Sequence, residues 1–345
     1  MLYVTTRTDR DAFTSHRAAV CELGPDGGQF LPRIQPHFDK KALEALAARS
    51  FNQNVAHVLS LLYRRKITAW DVDLVIGKRP MGIVELNSRT LVAETWRNSD
   101  WRFDQFVERL FRVMVTDPAE KPGQWFTMSV RIAVLFGIFG ELMARGIAGA
   151  ESPVDISVPS YDFQFPMAVW YAKSWGLPIG NIICCCNENN APWTLLHQGQ
   201  MRTDTPARHT VTAACDQAVP RGLERLIYAT LGLEETRRYV VALEERRGYK
   251  LEPEQRELVR AGLTVTVVSQ RRMEFMIHNI YRTVRWVPDP YAAMAYAGLV
   301  DFRSRAGETG TGLIISEENP VFSAELLAKT MGISADALRR RLQKD

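Results

Sequence analysis

The spacing of hydrophobic residues along this chain predicts a series of helices and strands. Between residues 101 and 114, apolar residues recur three and four positions apart, which predicts an amphipathic helix. Residues 130–145 form a second predicted helix, and because it is apolar nearly all round, we expect it to be buried. Further helices are predicted over 43–48, 55–63, 222–231, 233–247, 253–261 and 291–306, and further strands over 264–269 and 312–315.

A strand, helix, strand unit is the clearest local pattern. It consists of a strand over 154–158, a helix over 166–175 and a strand over 181–186. Such a crossover connects parallel strands, so the sequence predicts an α/β fold with a parallel sheet. Ligands in these folds bind at the carboxyl ends of the strands. We therefore expect functional residues at the strand exits, over 159–164 and 187–190.

The composition is that of an ordinary folded protein, with 345 residues of which 46% are hydrophobic and 24% charged. A net charge of +4 over this length is too small to predict binding to nucleic acid or to an anionic membrane. The longest strongly apolar stretch, 132–140, is far shorter than the roughly 20 residues that a membrane-spanning helix needs. The N-terminus also lacks the features of a signal peptide. We therefore predict a cytoplasmic protein that does not associate with a membrane.

The cysteines and the basic tail each have a functional and a structural interpretation. Three of the five cysteines are adjacent, at 184–186, and side chains on a strand alternate between its faces, so only Cys184 and Cys186 can point together. Free cysteine is common in buried strands, and we predict no metal site. The tail over 327–341 has the spacing of a helix-turn-helix with a basic second helix. Because it offers only two short helices, we interpret it as an amphipathic hairpin, and nucleic acid is not an expected partner.

Motifs at both ends and in the middle of the chain resemble threonine synthase, a pyridoxal-phosphate (PLP) enzyme of the tryptophan-synthase-β fold class. The N-terminal resemblance is an opening strand followed by a Pro-Asp-Gly-Gly loop, and the later motifs match strands, a helix end and turns of the family's large domain. The matching stretches are 3–7, 24–32, 157–160, 171–178, 187–189, 289–293 and 315–322. The resemblance implies an N-terminal α/β domain over 1–115, a large α/β domain over 124–322 and a helical C-terminal tail over 323–345.

Two parts of the family's cofactor site differ in this chain. Threonine synthases hold PLP as a Schiff base on the lysine of Phe-Lys-Asp-Phe, and the matching run here has Asp104 at the lysine position. Their glycine loop Ser-Gly-Asn-Phe-Gly surrounds the cofactor phosphate, and here it reads 160–164, with Tyr161 and Gln164 in place of the glycines and Asp162 between them. We therefore predict that no PLP is bound, although the family would imply it.

A whole domain is also predicted to be missing. Only 24 residues lie between Phe106 and Arg131, where threonine synthases carry a smaller domain that faces the cofactor. The substrate-facing run at 96–100 and the terminal motif at 319–322 also depart from the family pattern. At the deletion point, Trp125 and Phe126 are expected to form an exposed apolar patch, which would favour a homo-oligomer, a partner subunit or a new small-molecule cleft.

These differences favour a threonine-synthase-like protein without PLP chemistry, which acts by binding a small molecule or a protein partner. The alternatives are a repurposed enzyme acting on an amino acid or phosphorylated amino acid in the remnant cleft, or residual threonine-synthase (lyase) activity. Carboxylates and a histidine at the strand exits could serve as acids and bases. The candidate catalytic residues are Asp104, Asp162, Glu188 and His197. The candidate ligand-binding residues are Ser160, Tyr161, Asn187, Asn189 and Ser316.

Overall fold

The structure is a computed structural model that describes residues 1–77, 81–97, 102–307 and 310–342. The strands are β1 (Leu2–Thr5), β2 (Phe13–Thr14), β3 (Phe30–Pro32), β4 (Gly82–Asn87), β5 (Thr90–Glu94), β6 (Val154–Pro159), β7 (Ile179–Cys186), β8 (Gln200–Met201), β9 (Tyr249–Lys250), β10 (Leu263–Val267) and β11 (Gly312–Ser316). The helices before the strand, helix, strand unit are α1 (Ser15–Val20), α2 (Lys40–Ala47), α3 (Phe51–Tyr63), α4 (Ala69–Ile76), α5 (Phe103–Met114) and α6 (Gln124–Ala144). The remaining helices are α7 (Gln164–Ser174), α8 (Ala191–Gln198), α9 (Leu223–Glu244), α10 (Pro253–Arg260), α11 (Gln270–Val284), α12 (Pro290–Ala306), α13 (Ala324–Met331) and α14 (Ala335–Leu342).

A mostly parallel sheet forms the centre of the molecule. Its strand order is β10-β7-β6-β11-β5-β4, and every neighbouring pair is parallel except β4 with β5. The register pairs Val158 with Cys184 and Ser157 with Ile314, so the carboxyl ends of β6, β7 and β11 lie at one edge. The predicted α/β fold with a parallel sheet is thereby confirmed, including the crossover from β6 through α7 to β7.

Helix α6 is the central buried helix, as its sequence predicts. It is long and apolar enough to cross a membrane by length and composition, but 78% of its most apolar window is buried inside the protein, as in the core helix of a soluble protein. Its glycines let α3 approach closely, because a Cβ on Gly137 would lie 2.4 Å from the ring of Phe51. A Cβ on Gly140 would likewise collide with the side chain of Asn54.

The prediction of an exposed apolar patch at the start of α6 is wrong. Trp125 and Phe126 are both fully buried. Trp125 meets Tyr3 edge-on, with ring centroids 5.8 Å apart, and Phe126 lies between Tyr63 and Phe111. The sequence argument placed both side chains before the helix, whereas α6 begins at Gln124 and turns them into the interface with the N-terminal elements.

A nine-residue connection, 115–123, joins α5 to α6 without a helix or strand of its own. Its end is fixed by a hydrogen bond from the Gly123 backbone N to the Ala19 backbone O (2.8 Å). A Cβ on Gly123 would lie only 2.2 Å from the backbone O of Cys21, so the chain passes against α1 where no side chain fits. No domain therefore lies between α5 and α6 in this chain.

Other boundaries agree with the sequence patterns to within a few residues. The predicted break between two helices near residue 232 is present as a non-helical Gly232 (φ 82°) inside α9. The tail forms α13 and α14, as predicted, and residues 343–345 lie outside the described residues. The predicted start of α5 at Trp101 and most of the substrate-facing run, 98–100, also lie outside them.

Candidate functional site

A pocket of about 430 Å³ lies where α5, α6 and the exits of β6 and β11 meet. We call it the Arg131 pocket. Its charged lining residues are Arg102, Asp104, Arg131, Asp162, Glu317 and Glu318. Its aromatic lining residues are Phe103, Tyr161 and Tyr291. The size is typical of a small-molecule site.

A buried ion pair lies in this pocket. Arg131 on α6 contacts Glu317 through two parallel hydrogen bonds, from Nε to Oε1 (3.1 Å) and from Nη2 to Oε2 (3.0 Å). The two side chains are only 11% and 5% exposed. The guanidinium also faces the rings of Phe103 (4.3 Å to the centroid) and Phe165 (5.2 Å), which adds cation–π contacts. Burial raises the pKa of Glu317, and the charge of Arg131 opposes that rise.

The loop after β6 has a strained backbone. Tyr161, Asp162 and Phe163 all have positive φ angles, of 36°, 55° and 61°, although none is glycine. Such residues each cost on the order of 1 kcal/mol and persist only where their surroundings hold them. Gly222 is one such neighbour, since its N donates to the Asp162 backbone O (2.9 Å) and a Cβ there would lie 2.6 Å from the Phe163 backbone O.

The carboxylate of Asp162 anchors this loop to the start of α9. Its Oδ1 accepts from the backbone N of Arg221 (2.6 Å), and its Oδ2 accepts from Arg221 Nε (2.6 Å). The start of a helix favours a negative charge, because unpaired N–H groups and the helix dipole both point there. The side-chain carboxylate of Asp162 therefore occupies a position that would suit an anionic ligand.

Asp104 is the most exposed acid of the pocket. It lies in the first turn of α5, where its charge also favours the helix N-terminus. Beside it, Arg102 pairs with Glu318 (Nη2 to Oε1, 2.9 Å). Asp104 itself forms no ion pair within 4 Å among the described residues, but its charge attracts the neighbouring Arg102 guanidinium.

Ser316 lies at the exit of β11 within a buried polar network. Its Oγ donates to Asp289 Oδ2 (2.5 Å) and accepts from Trp96 Nε1 (2.9 Å). Asp289 Oδ1 accepts from the backbone N of Tyr291 and of Ala292 (2.9 Å each), so this side chain caps α12. Burial raises the pKa of Asp289 to about 7, against the opposing effect of the Ser316 hydrogen bond.

Comparisons with known proteins show similarity to threonine synthases in sequence and in fold. A family model described as the threonine synthase N terminus matches residues 2–78. The PLP-bound threonine synthase of Brucella melitensis superposes with a TM-score of 0.84 at 16% identity, over 96% of this chain and 92% of that one. Yeast threonine synthase gives a TM-score of 0.81 at 16% identity, over 96% of this chain and 90% of that one. The chain is similar to threonine synthases in its N-terminal sequence and in its fold. At this identity the solved structures show a shared fold.

The relatives found by sequence are similar to this chain over only part of its length. Human threonine synthase-like 1 is 22% identical over 174 residues, which cover 50% of this chain and 23% of the human protein. The mouse protein of the same name is 29% identical over 106 residues, 30% of this chain and 14% of the mouse protein. The chain therefore matches less than a quarter of the length of these relatives.

The predicted absence of the smaller threonine-synthase domain stays a prediction. In the structure, only a nine-residue connection joins α5 to α6, at the place where the smaller domain is predicted to be missing. The superpositions extend over 90 to 92% of the solved threonine synthases, so they do not show that a domain is missing.

Three of the predicted binding residues have internal roles in the fold. The side-chain amide of Asn187 donates to Asp216 Oδ1 (2.7 Å) and to Thr210 Oγ1 (2.9 Å). Asn189 Nδ2 donates to the Arg208 backbone O (2.9 Å). Both asparagines therefore form hydrogen bonds with the loop before α9. Ser160 is buried at the end of β6. These side chains hold the strand exits in place.

The four catalytic candidates do not share one site. Only Asp104 and Asp162 line the Arg131 pocket. Glu188 lines a separate cavity of about 260 Å³, and its Oε1 accepts from the Gln270 backbone N (3.0 Å). His197 lines a third cavity of about 200 Å³, where burial lowers its pKa. Within the described ranges, no group of three or more metal-ligating side chains is arranged to hold an ion.

The pocket also contains functional candidates that the sequence analysis missed. Arg131 and Glu317 are the main ones, and Tyr291 is the third. A signal for Arg131 was present, because it is the one charged residue between Gln124 and Gly140 on a helix predicted to be buried. Such a charge requires a partner. Its partner Glu317 is 186 residues away in sequence, so no local pattern could identify it.

Asp289 predicts a pH dependence of stability. Because its pKa is about 7 when folded and near 3.9 when unfolded, the folded chain binds the extra proton between these values, and stability falls as the pH rises through this window. Asp289→Asn should keep the cap and remove the slope. Relative to the native chain, the variant should gain up to about 1.4 kcal/mol per pH unit between pH 4 and 7. Chemical unfolding across this range measures it. Asp39, the exposed helix cap of α2, provides the control Asp39→Asn. If the unfolding free energies of the native chain and Asp289→Asn changed with pH in parallel, the prediction would be contradicted.

Proposed function

We propose that this chain is a threonine-synthase-like binding protein that uses the Arg131 pocket for a ligand and does not hold PLP. The observation that carries the proposal is the lining of this pocket. Among the described residues, no lysine lines it, and the family's lysine position is Asp104. A carboxylate cannot form an imine with an aldehyde, so the covalent attachment that defines the family's chemistry has no nucleophile here.

The loop after β6 supports the same proposal. A glycine loop binds phosphate because its backbone N–H groups can close around the anion. Here Asp162 contributes a negative charge to that loop and already accepts the backbone N–H of Arg221. Two like charges about 4 Å apart repel by about 4 kcal/mol at an effective dielectric of 20. We infer that these residues do not fit the phosphate of PLP.

The pocket nevertheless retains the features of a binding site. It combines a volume of about 430 Å³ with aromatic rings and fixed charges, and the Arg131–Glu317 pair is held rigidly by two hydrogen bonds. Strained backbone at residues 161–163 is also typical of functional sites. These features favour a small-molecule ligand over a protein partner at this position.

A repurposed enzyme is the second candidate function. Asp104 and Asp162 line the same pocket, and the Tyr291 hydroxyl lies there as well. Two carboxylates beside a hydroxyl could transfer protons to and from an amino-acid substrate. A turnover screen of amino acids and phosphorylated amino acids, with Asp104→Asn as the inactive variant, tests this candidate.

Titration of the purified full-length chain with PLP tests the proposed function. We expect the absorption spectrum to equal the sum of protein and free PLP, with no aldimine band at one equivalent. Lys121→Ala is the control for imine formation at a nearby exposed lysine, because Lys121 precedes the lining residue Pro122. A one-to-one aldimine band that persists in Lys121→Ala would overturn the proposal.

A further inference from the structure

The acids of the Arg131 pocket are unequally compensated. Glu317 pairs with Arg131, and Glu318 pairs with Arg102. Asp162 pairs with Arg221. Asp104 is the remaining acid: within the described ranges it forms no ion pair of its own, and it attracts Arg102, which Glu318 already engages. These four acids therefore share three arginines, which leaves one excess negative charge at the start of α5.

Aromatic rings lie close to this charge. Phe103 precedes Asp104 in the chain and lines the pocket with it. Tyr161 and Tyr291 meet edge to face, with ring centroids 4.9 Å apart. The Tyr291 hydroxyl oxygen accepts from the Ala214 backbone N (3.2 Å), which leaves its proton free to donate. The faces of such rings attract cations, and their bodies accept hydrocarbon.

We propose that the Arg131 pocket binds a small organic cation with one primary amine and no phosphate group. The ammonium lies beside Asp104 and balances its charge, and the hydrocarbon part packs on Phe103 and Tyr291. This inference rests on the proposed function, in which the Arg131 pocket holds no PLP.

Anionic ligands are disfavoured by the same arrangement. Each pocket arginine is already engaged by a carboxylate, at 3.0 Å for Arg131 and 2.9 Å for Arg102. An incoming carboxylate or phosphate would have to displace an internal partner and would also face Asp104. A cation meets the reverse situation, since it gains a partner without breaking an existing pair.

A matched pair of probes tests the inference. n-Butylammonium and butyrate have nearly the same size and opposite charge. Ligand-detected and protein-detected NMR titration of the full-length chain should show saturable n-butylammonium binding with a Kd on the order of 1 mM. Butyrate should bind at least about tenfold more weakly.

Two variants locate the interaction. Asp104→Asn should weaken n-butylammonium binding about tenfold, because it removes the charge and retains the size of the side chain. Asp11→Asn, at an exposed position outside the pocket, should leave the Kd unchanged. Thermal melting of both variants verifies that they remain folded.

The outcomes separate this inference from the proposed function. Each of three results would overturn the inference. The first is equal binding of the two probes, and the second is no saturable binding at an n-butylammonium concentration of about ten times the expected Kd. The third is an unchanged Kd in Asp104→Asn. If PLP also forms no aldimine, the proposed function survives such a result. An aldimine with PLP would overturn the proposed function itself.

Discussion

Replacement of Arg131 by methionine is expected to lower the free energy of unfolding by about 3 to 5 kcal/mol. The reason is that Glu317, whose side chain is 5% exposed, would lose both hydrogen bonds and its counter-charge inside the protein. The aliphatic part of methionine still contacts Phe103, so the loss reflects mainly the unpaired carboxylate. Urea unfolding of the native chain and the variant at pH 7 measures the difference.

Two comparisons isolate the buried pair. Arg237→Met breaks a surface pair with Glu234, in which the side chains are 50% and 86% exposed, and should cost no more than about 1 kcal/mol. The double variant Arg131→Met/Glu317→Leu should recover much of the lost stability, because no buried charge remains. An Arg131→Met variant that loses no more stability than Arg237→Met would contradict this explanation of the buried pair.

The cost of Arg131→Met should also depend on pH. Burial raises the pKa of Glu317, and loss of Arg131 removes the effect that opposes this rise. The folded variant therefore favours the neutral carboxyl, and its stability falls as the pH rises above the ordinary glutamate value of about 4.3. The difference from the native chain should be smaller at pH 5 than at pH 8.

Replacement of Phe126 by alanine is expected to cost about 3 to 5 kcal/mol, because it empties a fully buried site. The ring of Phe126 lies 5.4 Å from that of Tyr63 and 5.2 Å from that of Phe111, centroid to centroid. These contacts join α6 to α3 and α5. Denaturant unfolding measures the loss, with Phe275→Ala as the control, since Phe275 is 57% exposed and should cost less than about 1 kcal/mol. A loss in Phe126→Ala as small as in the control would mean that the start of α6 is not packed in solution.

The elements that sequence patterns predict well are those whose own residues determine them. The β6–α7–β7 unit is one case, because apolar and polar residues alternate along β6, β7 ends in the apolar run 182–186, and the helix between them ends at a glycine turn. The buried helix α6 is another. By contrast, no pattern indicated the β4–β5 hairpin or α11. Residues 82–87 are only partly buried and their register shifts between Glu85 and Asn87, which weakens the alternation of polar and apolar positions.

The candidate site could be predicted only in part. Asp104 and Asp162 came from local motifs, and the fold brings them to one pocket. Glu188 and His197 follow the same strand, β7, but their side chains line other cavities. Glu317 and Tyr291 reach the pocket from elements more than 150 residues beyond Arg131, and such contacts depend on sheet order, which local periodicity does not contain.

We propose that this chain does not carry PLP on a lysine. Intact-mass spectrometry of the freshly purified full-length chain, incubated with one equivalent of PLP and reduced with borohydride, tests it most directly, because borohydride converts any imine into a stable adduct. We predict that the mass stays that of the unmodified chain. A single stoichiometric adduct, mapped by peptide analysis to one lysine in both native chain and Lys121→Ala, would contradict the claim.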